Sequence, residues 1–157
     1  MEVKTNVMRI NEKQKIEYTP HFYDNKDGRI DGLAIAEKIG KPSNIVFKTL
    51  VTRFERDFFV FVVPVEKELN LKKCAKAVGK KTVEMIRVDE INKATGYIRG
   101  GCSPIGMKKQ YVTKVAEEAM LQEKIIVSGG KLGMQIELNP EDLLRACGGE
   151  YADILQD

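Results

Sequence analysis

Histidine is almost missing from this sequence, and tryptophan is missing altogether. The single histidine among 157 residues is His21, which leaves little room for histidine-based catalysis. Structural zinc sites draw on several histidine and cysteine side chains. We therefore expect no metal site.

Cysteine pairs and long apolar runs are also missing. The three cysteines are an odd number and form no C-x-x-C motif, as is typical of reduced thiols in a reducing compartment. The longest apolar run, residues 58–65, is far shorter than the ~20 residues that a membrane helix needs. Residues 1–10 contain no apolar stretch of the kind found in secretory signals. These absences predict a cytoplasmic protein without a membrane partner.

Glycine forms neither a Walker loop nor a dinucleotide-binding fingerprint here. It is concentrated instead in two tracts, residues 95–106 and 127–133. Gly-Gly pairs beside serine and proline allow tight turns, with no Cβ to block the approach of a ligand. The two tracts predict a pocket floored by main-chain N–H groups. Hairpin turns of an ordinary β-protein are an equally good explanation at this point.

Positive charge is unevenly distributed along the chain. The net charge is +3, yet residues 66–81 alone hold six lysines against two glutamates. A helix from residue 71 to 78 would have one apolar face, formed by Leu71, Cys74, Ala75 and Val78. Lys72, Lys73 and Lys76 would lie on the opposite face. This concentration suits contact with a polyanion. The alternative is a helix face that is merely solvated.

The pattern of apolar residues predicts an α+β fold in a single domain, residues 1–157. Short helices and strands alternate irregularly, and two β-rich segments joined by Glu55-Arg56-Asp57 form a hairpin. This combination favours a mixed sheet with helices packed around it. The predicted helices are 5–15, 31–39, 71–78, 89–94 and 140–146, and the predicted strands are 17–23, 45–54, 58–65, 82–86, 124–127 and 134–138.

Two side chains are candidates for chemistry. Lys48 is the single charge in the apolar strand segment Val46-Phe47-Lys48-Thr49-Leu50. Its ammonium either meets an anion or a polarised carbonyl in a pocket, or extends to solvent from an edge strand. Cys102 lies in a turn whose N–H groups could lower the pKa of a thiol. A thiol-dependent enzyme is thus one hypothesis, although a small apolar filler is the favoured role.

Several segments together resemble the YbaK/EbsC family. Its members are free-standing relatives of the editing domain that is inserted in bacterial prolyl-tRNA synthetases. The matching motifs run in order from about residue 23 to 138 and cover most of the chain. They are Phe47-Lys48-Thr49-Leu50, the lysine-rich segment 71–81, Thr95-Gly96-Tyr97 with Gly100-Gly101-x-Ser103-Pro104-x-Gly106, Val127-Ser128-Gly129-Gly130 and Ile136-Glu137-Leu138.

The resemblance implies an aminoacyl-tRNA deacylase that hydrolyses the ester of cysteine mischarged on tRNA(Pro). It also implies a mixed, mostly antiparallel, barrel-like sheet flanked by helices, and no cofactor. Prolyl-tRNA synthetase is a candidate partner in a ternary complex with the tRNA.

The resemblance also assigns roles to individual residues. The near-invariant lysine of the family falls on Lys48, which is expected to position the 3′-terminal nucleotide and to stabilise charge during attack on the ester. Main-chain N–H groups of the glycine loop are expected to face the ester carbonyl, while the thiol of the substrate attacks it. Lys72, Lys73 and Lys76 are expected to contact tRNA. The expected substrate-binding residues are Tyr23, Thr49, Gly100, Gly101, Cys102, Ser103, Pro104, Ser128, Gly129 and Gly130.

Two positions depart from the family pattern. Cys102 replaces a small aliphatic residue, and Gln135 stands where aspartate is frequent. A deacylase that prefers alanine or serine is therefore one alternative. A non-catalytic module that binds tRNA or the synthetase with the same fold is another.

Overall fold

The computed structural model describes residues 4–157 of the chain. Within this range the helices and strands alternate irregularly, as the sequence predicts. The helices are α1 (Asn6–Lys13), α2 (Gly32–Ile39), α3 (Leu71–Ala77), α4 (Ile91–Thr95) and α5 (Pro140–Cys147). The strands are β1 (Thr19–Phe22), β2 (Phe47–Phe54), β3 (Asp57–Pro64), β4 (Glu84–Met85), β5 (Val112–Ala116), β6 (Ile125–Ser128), β7 (Met134–Leu138) and β8 (Glu150–Ala152).

The strands form two sheets. One has the order β1-β7-β6 and is antiparallel throughout, and the other has the order β4-β2-β3-β5-β8. In the second sheet the β3–β5 and β5–β8 pairs are parallel, whereas β2 pairs with β3 and β4 antiparallel. A single parallel bridge between Val46 and Ile126 connects the sheets. The mixed, mostly antiparallel fold is confirmed, but the strands of residues 4–157 form two sheets rather than a closed barrel.

Local sequence signals set the helix boundaries. The side chains of Thr5, Asp31, Asn70 and Asn139 each accept hydrogen bonds from peptide N–H groups in the first turn of the following helix. Such caps satisfy N–H groups that have no partner inside the helix. Helix α2 ends at Gly40, whose φ of 69° is left-handed. The predicted helix starts are therefore confirmed to within one or two residues.

The core lies between the sheets and the helices. Strand β3 is buried over most of its length, and Phe61 is fully buried. A smaller apolar cluster of Ala36, Val46, Val65 and Ile126 holds α2 against the junction of the two sheets. This junction is where the candidate site lies.

The first glycine tract follows helix α4, as expected, but two expectations about local structure were wrong. The strand predicted over 82–86 shrinks to Glu84–Met85. Leu71 does not share the buried face of α3 with Cys74, because as the first residue of the helix it lies at the edge of the core and is 39% exposed. Strands β5 and β8 were not predicted.

Candidate active site

A cavity of about 290 Å³ opens at the junction of the two sheets. Its wall combines strand β2, the first glycine tract and the ends of β6 and β7 with residues around α2. Of the substrate-binding and catalytic residues expected from the sequence, five line it: Lys48, Thr49, Gly100, Cys102 and Ser128. Segments far apart in the chain therefore meet at this cavity.

Strand β2 places Lys48 in the cavity wall. Lys48 pairs in register with Val63 of β3, and Phe47 beside it is buried in the core. The parallel bridge between Val46 and Ile126 aligns β2 with β6. Lys48 and Ser128, each two residues after its bridge residue, both line the cavity. The Lys48 ammonium has no carboxylate partner among residues 4–157. Its charge is available to a ligand.

A tight turn forms the glycine-rich part of the wall. The Gly101 N–H donates to the Ile98 carbonyl at 2.9 Å, and Gly100 between them has a φ of 85°. Only glycine adopts this conformation readily. Gly101 also lacks space for a side chain, since a Cβ there would lie 3.1 Å from the Lys131 Cα. The two glycine tracts thus pack directly against each other.

The main-chain N–H groups of the turn differ in whether they donate a hydrogen bond within the described residues. The Gly101 N–H closes the turn, whereas those of Gly100 and Cys102 donate to no oxygen within residues 4–157. Gly100 and Cys102 both line the cavity. Two N–H groups without a partner thus belong to residues of the wall that contains Lys48, and fixed N–H donors are the kind of group that stabilises a developing oxyanion.

Three polar side chains complete the wall. Thr49 Oγ1 is buried and has no hydrogen-bond partner among the described residues. Ser128 Oγ accepts from the Gly130 N–H at 3.1 Å and keeps its own proton for another acceptor. Gln135, opposite Ser128 in the β6–β7 register, is 3% exposed and lines the cavity. These groups can hydrogen-bond to a polar ligand.

Comparison with known proteins identifies this architecture. The model of the aminoacyl-tRNA editing domain family matches residues 33–146. The chain belongs to that family. The match contains Lys48, both glycine tracts and Gln135, and it confirms the predicted family and enzyme class, an aminoacyl-tRNA deacylase.

Individual relatives agree with this assignment. A protein of Enterococcus faecalis named "Putative Cys-tRNA(Pro)/Cys-tRNA(Cys) deacylase EbsC" is 47% identical over 96% of this chain and 93% of its own length. A proline–tRNA ligase of Fervidobacterium nodosum is 26% identical over 72% of this chain, which covers 18% of the ligase. The crystal structure of "a putative trans-editing enzyme for prolyl tRNA synthetase" superposes with a TM-score of 0.82, at 18% identity over 99% of this chain and all of the other. At this low identity, the last match shows that the two chains share a fold.

The cysteine of the editing-domain cavity is poorly suited to act as a nucleophile. Burial raises the pKa of the Cys102 thiol to about 11, and the neighbouring Thr95 hydroxyl opposes this shift only weakly. The thiol is therefore protonated near neutral pH, when attack requires the thiolate. His21 Nε2 hydrogen-bonds to Glu137 Oε1 at 2.7 Å rather than to this thiol. Both observations count against a thiol-dependent enzyme.

Six residues expected to bind substrate lie outside the cavity wall of the editing domain. They are Tyr23, Gly101, Ser103, Pro104, Gly129 and Gly130. Tyr23 is 8% exposed, and its hydroxyl is buried without a partner among the described residues. The Ser103 hydroxyl is used locally, since it accepts from the Ile105 N–H. Pro104 lines a separate cavity of about 520 Å³.

Sequence reasoning missed part of the wall. Arg99, at the tip of the glycine turn, lines the cavity and is exposed, and its place inside the first glycine tract could have signalled this. Met85 and Val88 form an apolar rim and are 44% and 58% exposed. Nothing in the local sequence marks these two residues as part of a site.

The lysines of α3 are not equivalent. Lys73 Nζ lies 3.2 Å from Asp153 Oδ1 and 2.9 Å from Asp157 Oδ1, and it also donates to the Leu155 carbonyl. Lys72 and Lys76 are exposed and form no ion pair with residues 4–157. No residue of α3 lines the cavity. The expected contact of this helix with tRNA stays a prediction. Of its three lysines, Lys73 is the least suited to that contact, because its ammonium is already paired.

The described residues offer neither a metal cluster nor a membrane-spanning helix. Residues 4–157 contain no group of three or more histidine, cysteine or acidic side chains arranged to hold a metal ion. None of the helices described is long and apolar enough to cross a membrane.

Proposed function

We propose that this editing domain, residues 1–157, hydrolyses the ester bond of Cys-tRNA(Pro) in trans. The observation that carries the proposal is the meeting of an unpaired Lys48 ammonium and the free N–H groups of Gly100 and Cys102 in one cavity wall. The Enterococcus faecalis relative, named for Cys-tRNA(Pro) and Cys-tRNA(Cys), supports the choice of substrate.

Lys48 is assigned the positioning of the 3′-terminal nucleotide. An ammonium without a carboxylate partner attracts the phosphate or the hydroxyl and carbonyl oxygens of that nucleotide. No ion pair has to be broken for this contact. In the partly closed cavity its charge is screened less than on an open surface. Lys48 therefore holds the ester in place and stabilises negative charge that develops on it.

The N–H groups of Gly100 and Cys102 are proposed to donate hydrogen bonds to the carbonyl oxygen of the ester. Attack converts this oxygen into an oxyanion, and fixed donors stabilise the developing charge without having to reorganise. An ester is already reactive, so this stabilisation supplies much of the acceleration. No histidine base or metal ion enters the proposed mechanism.

The thiol of the bound cysteine is proposed as the nucleophile. Its sulfur attacks the carbonyl carbon of its own ester and the bond from that carbon to the ribose oxygen breaks. The thiol proton passes to the released ribose oxygen, which becomes a hydroxyl. The cyclic thioester is then opened by water to give free cysteine. The net reaction consumes one water and releases uncharged tRNA. Cys102 of the enzyme takes no part in these steps.

A substrate panel tests the proposal. We expect single-turnover hydrolysis of Cys-tRNA(Pro) to be much faster than that of Ser-tRNA(Pro), which carries a hydroxyl in place of the attacking thiol. Ala-tRNA(Pro) and Pro-tRNA(Pro) complete the panel. Faster hydrolysis of Ala- or Ser-tRNA(Pro) would assign a different amino-acid preference. Hydrolysis of no substrate above the uncatalysed rate would indicate a non-catalytic binding module.

The matched segment of proline–tRNA ligase supports a synthetase as partner. The cavity accepts only the 3′ end of a tRNA, so recognition of tRNA(Pro) as a whole requires other contacts. We propose that prolyl-tRNA synthetase supplies them in a ternary complex. A cytoplasmic location, where aminoacyl-tRNA is made, stays a prediction.

A further inference from the structure

Cations without neighbouring acidic residues in the sequence are concentrated around the first glycine tract. Residues 91–116 contain no aspartate or glutamate but hold five basic residues, of which Lys114 is neutralised by Glu150 at 2.7 Å. The other four and the lysine of the second glycine tract are exposed and form no ion pair within residues 4–157. We call these five the tract cations: Lys93, Arg99, Lys108, Lys109 and Lys131.

Packing places Lys93, Lys108 and Lys131 around the glycine turn, whereas Lys109 lines the separate cavity that Pro104 also lines. The Lys108 N–H donates to the Thr95 carbonyl at 3.0 Å, and its ammonium donates to the Lys93 carbonyl at 3.3 Å. Lys108 therefore lies against α4, next to Lys93. On the other side, the Lys131 backbone packs against Gly101, two residues from Arg99. Arg99 itself lines the cavity.

We infer that the tract cations bind the phosphate backbone of the RNA whose 3′ end occupies the cavity. This inference rests on the proposed function and names the surface through which the substrate is held. The last phosphates before the reacting ester must lie near the cavity entrance. Cations there that have no carboxylate partner gain an RNA phosphate without losing an ion pair, and each contact releases a counterion.

The lysine-rich segment 66–81 is the rival surface. It has the larger density of lysines in the sequence, yet Lys73 is held by two carboxylates and Lys80 lies 5.9 Å from the centre of the Phe54 ring. Phe54 ends β2, whereas the cavity is lined by residues 46–51 of that region. Helix α3 and Lys80 thus lie away from the cavity wall, and the segment adjoins the wall only at its start, after Val65.

Two variants with equal charge change separate the surfaces. The first replaces the four tract lysines with glutamine (Lys93→Gln, Lys108→Gln, Lys109→Gln and Lys131→Gln). The second replaces four lysines of the rival segment that follow its start and have no ion pair within residues 4–157 (Lys72→Gln, Lys76→Gln, Lys80→Gln and Lys81→Gln). The affinity of each for uncharged tRNA(Pro) is measured by fluorescence anisotropy at several salt concentrations, with thermal melting as the folding control.

We expect the first variant to reduce the slope of log affinity against log salt by about 3, since each phosphate contact contributes roughly 0.7–0.9. The second variant should reduce it by less than half as much. An equal or larger reduction in the second variant would overturn the inference. Wild-type hydrolysis of Cys-tRNA(Pro) is measured separately, so that a failure of the proposed function is distinguished from a failure of this surface.

Discussion

Lys48 and Lys73 show how differently the same side chain is used in two regions of the molecule. Lys48 stands in the wall of a cavity and has no carboxylate partner among residues 4–157. Lys73 stands on α3 outside the cavity and contacts Asp153, Asp157 and the Leu155 carbonyl. The first leaves its charge for a ligand, whereas the second uses its charge to hold the C-terminal segment against α3. Lysine content alone therefore does not locate a binding surface.

The largest effect is expected at Lys48. Lys48→Ala should slow single-turnover hydrolysis of Cys-tRNA(Pro) by roughly 10²–10³, the scale of losing one preorganised electrostatic contact. The melting temperature should hardly change, because the lysine faces a cavity and its removal deletes little core volume. Lys48→Arg should also be slow, since a planar guanidinium does not replace a compact ammonium.

A correctly folded Lys48→Ala protein with the wild-type rate would remove the basis for the comparison between the two lysines. Lys73→Ala, measured in parallel, supplies the control. It removes the same charge from a position away from the cavity, so that any general effect of net charge on tRNA binding is seen in both variants.

Replacement of Cys102 sharpens the comparison inside the cavity. Cys102→Ala should keep most of the hydrolysis rate, because burial raises the pKa of its thiol to about 11 and the proposed mechanism assigns the attack to the substrate thiol. A stability loss of about 1 kcal/mol is expected from the smaller side chain. The rate is measured from pH 6 to 9. A loss as large as that of Lys48→Ala would instead identify Cys102 as the nucleophile.

Sequence reasoning succeeded where the deciding contacts are local. A charge flanked by apolar residues in a strand points to Lys48, which lines the cavity, and a capping side chain precedes four of the five helices described. The turn that carries Gly100 was also visible, since glycine, serine and proline occur there within a few residues. In each case the physical cause spans fewer than ten residues.

It failed where the deciding contacts are distant. The carboxylates that hold Lys73 lie 80 and 84 residues further along the chain, and no local pattern pairs them with it. The same is true of Met85 and Gln135, which reach the cavity only because β4 joins β2 and β7 joins β6. The open arrangement of two sheets, in place of a barrel, likewise depends on which strands pair at long range.

The smallest effect is expected at Lys73, and it concerns stability. Its hydrogen bonds with Asp157 and Asp153 raise the pKa of the Lys73 ammonium above its ordinary value of 10.5. A group whose pKa is raised on folding adds stability that is complete below the unfolded value and is lost as pH rises through the folded value. Lys73→Ala should therefore lower the melting temperature slightly at pH 7, but not at a pH above that raised pKa.

Lys72→Ala is the matched control, because Lys72 is the exposed neighbour and has no ion pair within residues 4–157. The difference in melting temperature between the two variants should become smaller at high salt, since salt screens exposed ion pairs. Equal melting temperatures at pH 7 and low salt would mean that Lys73 does not hold the C-terminal segment. Lys73 would then be as free as Lys72, and the reason for ranking it as the weakest tRNA contact of α3 would disappear.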